Sequence, residues 1–135
     1  DLNYINMNSI SQALASNKSK YVQVVNLLFN ARTNAHFMHL ATRSYATHKA
    51  LDEFYSGILG IADSFAEASM GITGTVLTGF DLGQLNIGDP IKILKTQLQE
   101  LIGLRTKFTE GDLVQLIDDA SELYHSTIYK LTLLS

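Results

Sequence analysis

Glycine and proline placement constrains this chain more than any other feature. The single proline, Pro90, and five of the nine glycines (Gly71, Gly74, Gly79, Gly83 and Gly88) fall between positions 71 and 90. Both residue types interrupt regular structure, so this stretch reads as one long irregular connection. On either side of it apolar residues recur at helical spacing, and no alternating run is long enough for a strand.

Four helices follow from that periodicity. The first is expected from about residue 19, with Ser19 as N-cap, to about residue 42, with Val24, Leu27, Leu28, Ala31, Ala35 and Met38 as its core face. After a break at Arg43 and Ser44 the second runs to about residue 70 on an inner stripe of Leu51, Phe54, Ile58, Ile61 and Phe65. Asp89-Pro90 is a good start for the third, because Asp caps free N–H groups and Pro suits the first turn. Ile91, Leu94, Leu98 and Leu101 continue it. Thr109-Glu110-Gly111-Asp112 resembles a capping box with Asp in place of Glu, and opens a fourth helix carrying Leu113, Leu116, Ile117, Ala120, Tyr124, Ile128 and Leu131. The first two helices are closely linked, as are the last two. A connection of about 18 residues between the second and third can span a bundle at roughly 3.3 Å per residue. The expected class is all-α, a four-helix bundle with one long crossover, which is the ferritin-like arrangement. Residues 1–18, rich in Asn and Ser, read as a polar arm with a short helix near Ile10 to Ala15, and residues 19–135 as the domain.

Composition narrows function by exclusion. A formal charge of -3 argues against DNA or RNA as partner. No apolar run approaches the roughly 18 residues of a membrane span, and no signal-peptide pattern opens the chain, so a soluble, cytoplasmic protein is expected. With no cysteine, a disulfide framework, a thiolate metal site and a thiol nucleophile are all excluded. No P-loop, dinucleotide fingerprint or nucleophile elbow is present. Only 17% of residues are charged, against a usual share of about 25%. That leaves little to cover the apolar surface, and self-association is expected.

Chemistry-bearing residues cluster on the first two helices. His36, His39 and His48 lie within thirteen residues, followed by Asp52, Asp63 and Glu67. At 100° per residue His48, Asp52, Leu59, Asp63, Ala66, Glu67 and Met70 share one stripe of the second helix, away from its inner stripe. Val22, Phe29, Thr33, His36 and Leu40 form a second stripe on the first helix. Both read as parts of an interface. His48 and Asp63 are 15 residues apart, about 22 Å along a helix, whereas metal ligands each sit about 2 Å from the ion. A shared site therefore requires a second subunit. A two-fold axis across the middle of the second helix would bring His48 of one chain near Asp63 and Glu67 of the other. Imidazole with carboxylate suits Fe(II), Zn or Mn.

These residues resemble a family, the Dps-like mini-ferritins (DNA-binding proteins from starved cells). The family pattern is a His near the end of the first helix, a second His 12 residues on, an Asp four later, an Asp 15 after the second His, and a Glu four further. His36, His48, Asp52, Asp63 and Glu67 meet these spacings, and the similarity is concentrated in residues 21–70. The resemblance implies a ferroxidase that oxidises Fe(II) with peroxide or oxygen, with His36 and His48 from one subunit and Asp63 and Glu67 from its two-fold partner. Asp52 would be an outer or water-mediated ligand. It also implies mono- or di-iron, non-haem chemistry, iron storage and a dodecamer. Phe37 stands where the family usually has Trp, Thr42-Arg43-Ser44 replaces a glycine-containing turn, and Ala68 replaces an Arg. A lysine-rich tail is missing, so DNA binding does not carry over.

Blander readings stand beside this one. His36 and His48 can be interfacial histidines satisfied by hydrogen bonds, and Asp52 a simple i, i+4 partner of His48. His39 is expected to pack or cap, His125 to be structural or solvent-facing, and the acidic run of Asp118, Asp119 and Glu122 to be a solvated face. The alternative to an enzyme is a non-catalytic ferritin-like structural protein of a larger assembly, such as a virus particle, with virion rather than cytoplasmic localisation.

Overall fold

Local caps and apolar stripes act together to set four helices in the computed structural model, which describes residues 18–134. Helix α1 spans Lys20–Ala41, and its N-cap Ser19 accepts from the Val22 N–H at 3.2 Å. Helix α2, Tyr45–Thr73, is capped by Ser44, which accepts from the Thr47 N–H. Helix α3, Pro90–Arg105, begins as expected, with the Asp89 carboxylate accepting from Ile91 N–H and Pro90 in the first turn. Helix α4 spans Gly111–Leu133. No strand occurs among the described residues. The expected polar arm, its short helix included, falls outside them apart from Lys18.

Two boundaries differ from expectation. Helix α2 continues past Met70 through Gly71 and stops at Gly74, which adopts φ +70. A glycine inside a helix costs only about 1 kcal/mol, whereas a left-handed residue ends one. The expected capping box does not form either: Glu110, not Thr109, is the N-cap of α4, and no side chain caps the helix. The Glu110 carboxylate instead turns back to accept from the Thr109 N–H and from the Tyr21 hydroxyl.

Each helix packs on two neighbours, α1 and α4 both against α2 and α3, which leaves α1 diagonal to α4 and α2 diagonal to α3. Lys20 at the start of α1 donates to the Lys107 carbonyl beyond the end of α3, and Lys130 near the end of α4 pairs with Glu53 near the start of α2. Neighbours are therefore antiparallel, in an up-down-down-up order. The core holds the expected face of α1 and, fully buried, Leu51, Phe54, Ile58, Leu94, Leu101, Leu113, Ile117 and Tyr124. Each such large side chain contributes roughly 1.5–3 kcal/mol by leaving water. Ile61, Ile91, Leu116 and Ile128 sit at the core's margin, partly buried. The Tyr124 hydroxyl donates to the buried Gln97 carbonyl oxygen at 3.1 Å, and burial, with Glu100 adding to it, pushes the phenol far above its ordinary pKa.

The crossover, residues 74–89, returns along α1 in the same direction as that helix. Three asparagines of α1, spaced four apart and so on one face, hold it by its backbone. Asn26 donates to Gly79 O and accepts from Asp81 N–H; Asn30 donates to Leu82 O and Gln84 O; Asn34 accepts from Asn86 N–H at 2.6 Å. This arrangement corrects one sequence expectation. Val22, assigned to an outward stripe, is fully buried, because the crossover near Gly79 closes over it.

Candidate metal centre

The end of α1 and the start of α2 are joined by residues 42–44 alone, which brings their histidines face to face. His39 and His48 stack with ring centroids 3.6 Å apart and planes 18° from parallel. Their hydrogen bonds are reciprocal: His39 Nδ1 lies 2.7 Å from the His48 carbonyl oxygen, and His48 Nδ1 lies 2.9 Å from that of His39. A carbonyl oxygen can only accept, so each Nδ1 carries the proton and, in the neutral rings, each Nε2 keeps its lone pair. A backbone carbonyl on one ring nitrogen is also how metal-binding histidines are commonly oriented.

His36 is half-buried and stacks on Tyr55 at 4.1 Å and 15°, with His39 edge-on at 5.9 Å. The half-buried Asp52 carboxylate beside the Tyr55 hydroxyl holds the phenol pKa above its ordinary value, with desolvation adding to it and nearby Arg32 opposing it. Arg32 Nε is buried without a hydrogen-bond partner among the described residues, so a positive charge borders the cluster. The expected packing role of His39 holds, since its ring is buried between its neighbours. His125 is exposed. The acidic run on α4 is more than a solvated face, because Asp118 receives a two-pronged bond from Arg105 at 2.7 and 3.1 Å and Asp119 accepts from Gln115.

The chain thus gathers His36, His48 and Asp52 at one end of the α1–α2 layer, together with His39 and Tyr55. It does not gather Asp63 and Glu67, which are exposed further down α2, one turn apart and on the same outer side as His48. Because α2 is continuous, the separation of about 22 Å between His48 and Asp63 stands. Among the described residues no three His, Asp or Glu side chains of one chain converge to hold a metal ion. In donor chemistry the five residues suit a borderline divalent cation. One chain by itself lacks the geometry.

Two features of this region were not anticipated from sequence. Tyr55 belongs to neither the expected core stripe nor the expected ligand set, although its place seven residues after His48 puts it on the same side of α2. The asparagine ladder is visible in sequence only as an i, i+4 spacing of Asn26, Asn30 and Asn34, with nothing to indicate its partner.

No solved structure matches the chain. It is similar to an uncharacterized 14.6 kDa protein from the mobD-ri intergenic region of Enterobacteria phage T4, 29% identical over 117 residues, which cover 85% of this chain and 90% of that protein. A family model described as a family of unknown function, DUF5856, matches residues 39–131 and so takes in His48, Asp52, Asp63, Glu67 and three of the four helices. With well over half of its length matched, the chain belongs to the DUF5856 family.

Proposed function

We propose that this chain is a ferritin-like protein, similar to the Dps mini-ferritins, that binds Fe(II) between two copies of itself and oxidises it. His36 and His48 of one protomer and Asp63 and Glu67 of the other would hold the iron, with Asp52 as an outer ligand. The observation that carries this reading is the pair of Nδ1–H to carbonyl bonds, which leaves a fixed lone pair on His48 Nε2. The up-down-down-up helix order with its crossover supports the ferritin-like part. Iron is here a substrate: each Fe(II) gives up one electron to peroxide or oxygen, and a closed shell, a dodecamer on the Dps pattern, would store the ferric product. The same donors accept Zn or Mn.

The test is a stoichiometric Fe(II) titration of metal-free protein with peroxide or air, followed by ferric absorbance, beside the His48→Ala/Asp63→Ala double variant. Fast oxidation in the wild type and only background in the variant is expected. Equal, slow oxidation in both would overturn the reading.

A second reading is a non-catalytic scaffold in a larger assembly. Two observations favour it: the imidazoles of His36 and His39 are already engaged in stacks within the chain, and the similar T4 protein comes from a virus, which suits a virion as well as a cytoplasmic location. Under it the double variant alters assembly or stability and leaves iron oxidation at background throughout. No helix of the described residues is long and apolar enough to cross a membrane, in keeping with either reading.

A further inference from the structure

The outer face of the α1–α2 layer carries opposite features at its two ends. Near the α1–α2 link it carries the exposed cations Arg43 and Lys49 and a protruding ring, Tyr45, which is 76% exposed and lies 6.4 Å from the His48 ring. Toward the other end it is acidic, with Asp63 and Glu67 exposed and in no ion pair among the described residues. Beside those acids lies a mainly apolar socket of about 420 Å³ between α1, α2 and the crossover, walled by Val25, Phe29, Ala66, Phe80 and Leu82 together with Asn26 and Asp81. Phe80 is 60% exposed, an uncommon position for a phenylalanine in a connection held down by four hydrogen bonds between its backbone and the side chains of Asn26 and Asn30.

From these features we infer that Tyr45 of each protomer seats in the Phe29/Ala66/Phe80/Leu82 socket of a second copy, and that this contact, rather than metal, holds the two copies together. The inference rests on the two-fold pairing in the proposed function and names what drives it. Halfway between His48 and the Asp63–Glu67 pair lies Ser56. Tyr45 is 11 residues before Ser56 and Ala66 is 10 after it, so each is about 15 Å from Ser56 along α2. A two-fold axis at Ser56 therefore exchanges ring and socket as well as basic and acidic ends. One operation satisfies both the shape and the charge, as an isologous contact demands. Burial of a single aromatic in a partner's pocket, ringed by polar groups, is the usual anatomy of a strong contact.

Because the chain has no cysteine, single introduced thiols map this interface cleanly. In the presence of chelator, wild-type protein at micromolar concentration is expected to sediment at a multiple of two chains. Ser56→Cys should form a disulfide between copies under mild oxidation, while His125→Cys on α4 should not. Tyr45→Arg, at an exposed position remote from the core, should weaken pairing by more than about tenfold and leave the helical circular dichroism unchanged. Monomers in chelator, equal cross-linking at both positions, or an unaffected Tyr45→Arg dimer would each overturn the inference. The iron titration reads the other question separately. The Ser56 cross-link reads the axis that both readings share, and Tyr45→Arg reads this contact alone: oxidation with a pairing that Tyr45→Arg leaves intact would sink the contact and spare the ferroxidase reading, and a Tyr45-dependent dimer without oxidation would do the reverse.

Discussion

The α1–α2 and α3–α4 hairpins each join antiparallel helices through a link of a few residues, yet they are fastened by different chemistry. In the first, two stacked imidazoles exchange hydrogen bonds with each other's backbone, and one of them, His39, is packed edge-on against Tyr55 and His36. In the second, the link is plugged by buried Phe108 and clamped outside by Arg105 and Asp118, whose side chains are about half exposed. A buried fastening of rings resists loss more than an exposed ion pair, which is worth little in water. It also leaves ring nitrogens to spare. The difference teaches that the residues fastening the α1–α2 end keep ring nitrogens free, whereas the charged groups fastening the α3–α4 end are spent on each other.

The comparison breaks most readily at His39. His39→Ala removes a buried ring, its stack and one of the reciprocal bonds, and is expected to lower the stability measured by urea unfolding by about 2–3 kcal/mol. It also frees His48 to turn, so a variant as stable as wild type would show that the two hairpins are fastened equally weakly. Asn34→Ala sharpens the contrast from the crossover. It should cost about 1 kcal/mol and speed hydrogen exchange at the Asn86 amide, which donates to Asn34, with the Asp81 amide on Asn26 little changed. Equal acceleration at both amides would mean that the ladder acts as one unit.

The smallest effect is expected at Asp118. Arg105 beside it holds its carboxyl below the ordinary value of 3.8. The pair's contribution is therefore complete above that value and drains away as pH falls through the lowered one. Asp118→Asn should shift the melting temperature by at most about 2 °C near neutrality, and the gap between the two proteins should close in strong acid. A gap that widened in acid would contradict the assigned pairing.

Much of the architecture is legible in the residue order, and the reasons are local. Ser19 and Asp89 cap as their chemistry dictates, and the α1 core face from Val24 to Met38 is buried as its spacing requires. The failures arise where a distant segment intervenes. Val22 looks outward on a helical wheel, but the crossover lies over it. Glu110 displaces Thr109 as cap while Tyr21, 89 residues away, donates to its carboxylate. At the candidate centre the spacing of His36, His48, Asp52, Asp63 and Glu67 is legible, and so is the distance that keeps Asp63 and Glu67 from His48 within one chain. The stack of His39 on His48 was hidden, because it depends on how tightly residues 42–44 turn.

The asparagine ladder has a consequence for how this chain can vary. Amides on α1 grip the main chain of the crossover and read nothing of its side chains. Apart from the glycines that need positive φ, Gly79 and Gly83, the gripped stretch can exchange its residues without losing its course. The segment is a fixed track with replaceable lettering, and relatives could rewrite its outward message, Phe80 and Leu82 included, while the helices beneath stay the same.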